Sequence, residues 1–164
     1  MDKEYIADLF MRGQDCGQVV LSHYADELGM EEAALNQLTA CYGGGCGIGE
    51  TCGAVLGALA VVGIKAGHQG PDDMEQRTLM MTKRSEFITL WKEKRHSCMC
   101  RELLGYDVSD PEELAIILEK GLMFDLCPEL VMDAVSILDG LSYEPVEESM
   151  SETADESFAF QAQL

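Results

Sequence analysis

The chain has 164 residues, 47% of them hydrophobic and only 7% aromatic, with a formal charge of −19 at pH 7. That length suits one domain able to bury a core without staples, and few aromatics beside frequent Ala, Leu, Gly and Met favour helix over sheet. The charge argues against a nucleic-acid partner and against an anionic membrane surface, since both need clustered Lys and Arg.

The charge is unevenly spread. From Arg77 to Arg101 the chain carries Arg77, Lys83, Arg84, Lys92, Lys94, Arg95 and Arg101 against Glu86 and Glu93, and beyond Lys120 no Lys or Arg follows. A basic helix in an acidic protein is expected to pair with its own acidic neighbours. The opening "MDKEYIADLF" lacks the cationic and then apolar pattern of a signal peptide. The longest apolar run, Gly53 to Ile64, falls short of the roughly 20 residues that span a bilayer. A cytoplasmic location is therefore expected, and seven cysteines there point to metal ligation or redox chemistry before structural disulfides.

In chain order, Asp15 is a candidate N-cap for "CGQVVLSHYADELG", where Cys16, Val19, Val20, Tyr24 and Leu28 recur at helical spacing and Gly29 offers a stop. "MEEAALNQLTA" predicts a second helix with acids in its first turn and Leu35 and Leu38 on one face. The loop Tyr42 to Gly49 holds five glycines (43, 44, 45, 47, 49), but no β-like run precedes it. It lacks the glycine spacing of a dinucleotide fingerprint and the Gly-Lys-Ser/Thr of a P-loop. Thr51 is the candidate N-cap of a third helix, "CGAVLGALAVVGIKAG", whose small apolar residues on every side predict a buried central helix with close neighbours. After the breaker "GHQGPDD" a long helix is predicted from Asp73 to His96, with Met80, Met81, Phe87, Ile88 and Trp91 as its apolar stripe. "SCMCRELLG" predicts a short helix ended by Gly105, and Ser109 or Asp110 caps the next with Pro111 at its first position. The last helix places Pro128 at its first position and Cys127 at its N-cap, with Leu130, Val131, Ala134, Val135, Leu138 and Leu141 on one face. These expectations make an all-α helical bundle over residues 1–143, followed by an acidic, disordered tail over 144–164.

Four cysteines, Cys16, Cys52, Cys100 and Cys127, fall in the first turns of four predicted helices, on their core-facing sides. Unpaired N–H groups and the helix dipole favour thiolate there, so lowered thiol pKa values are expected. Thiolates on facing helices can meet at one end of a bundle core, where metal and cofactor sites are built. The competing reading treats them as small core hydrophobes, which buried free cysteines commonly are. Cys41 and Cys46 flank the glycine loop, and Cys98 forms a Cys-x-Cys with Cys100 that a regular helix would splay apart. These three are candidates for resolving thiols or extra ligands. No Cys-x-x-Cys occurs, which argues against a zinc knuckle or a thioredoxin-type motif. His96 is a possible supplementary ligand better explained as a solvated helix end, while His23 and His68 read as surface and loop residues.

"GETCGAVLGAL", "CRELLGYD" and "CPELVMDAV", together with Cys16 upstream, resemble the C_GCAxxG_C_C family of redox-active proteins. The likeness runs from about Asp15 to Leu141. It implies a redox role for Cys16, Cys52, Cys100 and Cys127, with Gly53, Ala54 and Gly57 as packing positions, and leaves Cys41, Cys46 and Cys98 outside the pattern. The leading expectation is a redox protein whose four thiolates bind an iron–sulfur cluster or another metal, or cycle between thiol and disulfide, exchanging electrons with a partner protein. The alternative, of another class, is a non-catalytic helical interaction module with buried core cysteines. An enzyme with its own substrate ranks third, because no general acid or base stands beside the thiols.

Overall fold

The computed structural model describes residues 1–143; the acidic segment 144–164 expected to form a disordered tail lies outside them. The helices of the described residues are α1 Lys3–Met11, α2 Cys16–His23, α3 Ala25–Leu28, α4 Glu32–Thr39, α5 Gly53–Ala66, α6 Met74–Arg95, α7 Cys100–Leu104, α8 Pro111–Glu119, α9 Leu122–Asp125 and α10 Cys127–Asp139, and the glycine-rich segment Gly45–Gly49 is an irregular, kinked turn. Among the described residues the only extended pairing is an isolated antiparallel bridge between Thr51 and Met99. The fold is all-α, as composition and periodicity predict.

Central placement of α5 follows from its small residues. Ala54, Val55, Ala58, Val61 and Val62 are fully or almost fully buried, and α5 packs against α2, α6 and α10. Its contact with α2 is backbone to backbone. A Cβ added to Gly57 would stand 2.8 Å from the Gly17 carbonyl oxygen and 3.0 Å from the Val20 Cβ, and one added to Gly53 would stand 2.7 Å from the Tyr42 oxygen. Such a seam has no room for a side chain, so the propensity that glycine costs each helix is offset by packing. Burial ends before the predicted limit, because Ile64 is 39% exposed at the last turn.

Several local expectations are corrected. The first predicted helix breaks at Tyr24, which caps α2 at its C-terminal end and precedes α3. Tyr24 is held there by tertiary contacts, since its buried ring lets the hydroxyl donate to the Asp139 carboxylate at 2.7 Å. Leu38 and Met81 leave their predicted apolar faces for solvent, whereas Leu35, Phe87 and Trp91 are fully buried. The N-terminal half of α6 therefore lies outside the core. The helices α1 and α9 were not anticipated. Asp2 caps α1 by accepting from the Tyr5 N–H at 2.9 Å, and Ile6 buries it. The basic end of α6 does pair with acidic neighbours: Arg95 with Asp133 and Glu129, and Lys94 with Asp133 at 2.7 Å. No helix among the described residues is long and apolar enough to cross a membrane.

Candidate functional site

Asp15 fixes the start of α2 and, with it, Cys16. Its carboxylate accepts from the Gly17 and Gln18 N–H groups at 2.9 and 3.1 Å, and the Gln18 side chain accepts from the Asp15 N–H at 2.9 Å. This reciprocal capping box satisfies donors that the helix end leaves open. The second Asp15 oxygen accepts from the Gly43 N–H at 3.1 Å, which ties the glycine loop to the same helix start. Gly45, at φ 60°, shows why that loop is glycine-rich: a Cβ there would stand 2.5 Å from the Glu50 nitrogen.

The loop delivers the chain to Cys52, which is itself the N-cap of α5 in place of Thr51. Beside it runs the segment leading into α7. The Cys52 N–H donates to the Cys98 carbonyl at 2.8 Å and the Cys100 N–H donates to the Glu50 carbonyl at 2.6 Å, on either side of the Thr51–Met99 bridge. Cys100 is then the first residue of α7. Cys127 is the first residue of α10 rather than its N-cap, because Leu126 keeps helical backbone angles between α9 and α10.

Cys16, Cys52, Cys100 and Cys127 line one half-open cleft of about 170 Å³. Its other walls are mainly apolar and include Phe10, Leu104, Val108, Met123 and Phe124. The motif residue Gly53 also lines it, and the Cβ that position lacks would stand 3.3 Å from the Cys16 Cβ. Gly57 and Ala54 are packing residues of α5. Of the remaining cysteines, Cys41 and Cys46 are exposed and Cys98 is half-buried. Phe10, Met123 and Phe124 were missed as site residues because α1 and α9 were missed. The i, i+3, i+4 spacing of Ile6, Leu9 and Phe10 behind Asp2 was the available signal for the first of these.

The electrostatics depart from the expectation of four lowered thiols. Cys16 and Cys127 form a hydrogen-bonded pair in which Cys16 holds the proton: the bond pushes Cys16 well above the ordinary thiol value of 9.0 and pulls Cys127 below it. Burial raises Cys52 to about 11, although the backbone N–H groups of Ala54 and Val55 oppose it. Burial likewise raises Cys100 to about 12, with neighbouring Cys52 and Cys127 adding to the rise. Desolvation thus outweighs the helix terminus at Cys52 and Cys100, while at Cys16 the partner thiol does so. The resulting site sets one lowered thiol, Cys127, among three raised ones.

That donor set is soft and sulfur-only, which suits iron–sulfur chemistry. Its arrangement does not, because no three His, Cys, Asp or Glu side chains among the described residues are grouped as metal ligands. Four cysteines converge on one cleft without enclosing a common centre.

A helical fold with a glycine seam behind a cysteine-lined cleft defines a class that the sequence comparison names. Residues 14–141 match the family described as "Putative redox-active protein (C_GCAxxG_C_C)", and the chain belongs to that family. No curated protein and no solved structure matches the chain.

Proposed function

We propose that the protein is a thiol–disulfide redox protein in which Cys16 and Cys127 are the exchanging pair. The observation that carries this reading is the meeting of these two thiols in one cleft at the starts of α2 and α10, where Cys16 pulls the Cys127 thiol below its ordinary value. Thiolate is the nucleophile of disulfide exchange, and the best attacking thiol has a pKa near the ambient pH. Cys127 is the thiol that this cleft moves in that direction. In the net reaction the Cys16–Cys127 dithiol loses two electrons and two protons to a partner disulfide, R–S–S–R, which becomes two R–SH. The cleft walls surround the pair with mainly apolar groups, and Asp15 and its capping box fix the helix start that carries Cys16.

The test maps cysteine reactivity in the full chain. With limiting iodoacetamide at pH 7, Cys127 should alkylate faster than Cys52 or Cys100. Oxidation with glutathione disulfide should yield a Cys16–Cys127 disulfide in peptide maps. Replacing Cys16 with Ala removes the hydrogen bond and should slow Cys127 alkylation several-fold at that pH. Equal alkylation rates, or no Cys16–Cys127 disulfide, would reject the assignment.

A second reading is favoured by one observation, the convergence of all four motif cysteines on a single cleft. In that reading the cleft closes around an iron–sulfur cluster, which would supply one-electron transfer. Stoichiometric iron and sulfide in anaerobically purified protein would establish it and displace the dithiol reading; their absence alongside the disulfide above would dismiss it.

A further inference from the structure

The strand-like pairing next to the cleft brings a fifth cysteine into play. Around the Thr51–Met99 bridge the antiparallel register sets Cys52 opposite Cys98, and the Cys52 N–H is bonded to the Cys98 carbonyl at 2.8 Å. Directly opposed residues of an antiparallel pairing are cross-strand neighbours, so Cys98 stands beside Cys52. Opposed residues in such a ladder have Cα atoms about 4.5–5.5 Å apart, inside the roughly 4.4–6.8 Å window that a disulfide bridges. Cys52 is only 3% exposed and lines the cleft, whereas Cys98 is half-buried and outside the cleft lining. The charges of both Cys127 and Cys98 act on the Cys52 thiol. Cys98 lies outside the four-cysteine pattern of the family.

We infer that Cys98 and Cys52 form a second, outward exchange pair that passes a disulfide between a partner at the surface and the Cys16–Cys127 pair in the cleft. This inference rests on the dithiol reading above. Its physical motive is access. Disulfide exchange requires the attacking sulfur to approach along the S–S axis, and Cys127, 8% exposed behind apolar walls, offers a protein-borne disulfide little room. At the surface, the Cys98 thiolate attacks the partner R–S–S–R, forming Cys98–S–S–R and releasing one R–S⁻, which takes a proton from solvent. The Cys52 thiolate then attacks the Cys98 sulfur, forming the Cys52–Cys98 disulfide and releasing the second R–S⁻. Cys127 attacks Cys52, which returns Cys98 to the thiol, and Cys16 attacks Cys127, which returns Cys52. Two electrons have moved from the Cys16–Cys127 dithiol to the partner, and every intramolecular intermediate joins cysteines opposed across the bridge or lining the same cleft.

The experiment oxidises the reduced full chain with glutathione disulfide, quenches with N-ethylmaleimide at intervals, and maps disulfides by non-reducing digestion. Glutathionyl-Cys98 and then Cys52–Cys98 should precede Cys16–Cys127. The Cys98→Ser variant should form Cys16–Cys127 at least tenfold more slowly, with an unchanged end point against a glutathione redox buffer. Cys98→Ala provides the same comparison should serine disturb the bridge, with near-ultraviolet circular dichroism reporting the fold. A Cys16–Cys127 disulfide that forms at the wild-type rate in both variants, or without any Cys52–Cys98 species, overturns the relay and leaves the cleft pair standing. Failure of the wild type to form Cys16–Cys127 at all overturns the cleft pair, and the relay with it.

Discussion

The two sides of α5 are built on opposite principles. Toward α2 the contact is made of glycine backbone, with Gly17, Gly53 and Gly57 admitting no further atom, whereas α6 brings the large buried side chains of Phe87 and Trp91 to the core. Those two rings lie 6.2 Å apart, and the Trp91 N–H donates to the Ser97 carbonyl at 2.7 Å. A side-chain contact can repack, because rotamers supply slack; a backbone contact cannot. The rigid side is the one that carries the chemistry. Cys16 and Gly17 start α2, Cys52 and Gly53 start α5, and the seam between them fixes where the two thiols sit.

The largest expected effect comes from breaking the seam. Gly57→Leu forces a side chain against the Gly17 carbonyl and Val20, which the 2.8 Å and 3.0 Å approaches of a bare Cβ already forbid. Overpacking costs about 1–3 kcal/mol and more where backbones must part, so thermal unfolding should shift down by at least several degrees or folding should fail. A melting temperature within one degree of the wild type would show that α2 and α5 do not meet as described. On the other side of α5, Phe87→Leu should cost only about 1 kcal/mol by urea unfolding, as a near-conservative core swap does. If the two variants cost the same, the distinction between the faces falls.

The seam was legible in the sequence, and the cleft only partly. An apolar run of small residues with glycines four apart announces a buried helix with close neighbours, because no other packing compensates for Gly53 and Gly57. Local signals also mark Asp110, one of two candidate caps before Pro111, and Asp73, the predicted start of the long helix; both serve as N-caps. The register that opposes Cys52 to Cys98 leaves no such trace, since one isolated bridge has no periodicity. Short helices such as α9 are set by tertiary contacts rather than by their own four residues. The protonation pattern was misjudged for a different reason. Helix starts can be read from sequence and favour thiolate, but the burial that overrides them at Cys52 and Cys100 appears only once the chain is folded.

That override makes a pH prediction of intermediate size. An unfolded chain releases thiol protons near 9.0, while the folded protein keeps Cys52 protonated to about 11 and Cys100 to about 12. A folded-state pKa above the unfolded one stabilises fully below pH 9 and is lost as pH rises through the folded value. Under reducing conditions the urea midpoint should therefore fall between pH 8 and 10.5. Other groups titrate in that range too, so the comparison is with Cys52→Ala, whose midpoint should start lower and fall less steeply. Parallel curves for the two proteins would mean that the Cys52 thiol ionises when folded as readily as when unfolded.

The smallest effect belongs to Cys41, and it sharpens what distinguishes one surface cysteine from another. Cys41 and Cys98 both lie outside the family pattern. Cys41 is exposed just beyond α4 and lines no part of the cleft, whereas Cys98 is fixed opposite Cys52 by a backbone hydrogen bond. Access alone would rank Cys41 above Cys98, because Cys41 is exposed while Cys98 is half-buried and burial pushes its thiol up. If accessibility governed exchange, Cys41→Ser would slow formation of the Cys16–Cys127 disulfide more than Cys98→Ser does. If register governs it, Cys41→Ser should change stability by less than about 0.5 kcal/mol, as surface substitutions do, and should leave the oxidation rate within twofold of the wild type. An attacking thiol must pass its disulfide to a second sulfur within bonding reach, and for Cys98 the ladder supplies that sulfur in Cys52. The rates of these two serine variants, measured side by side, decide between exposure and register.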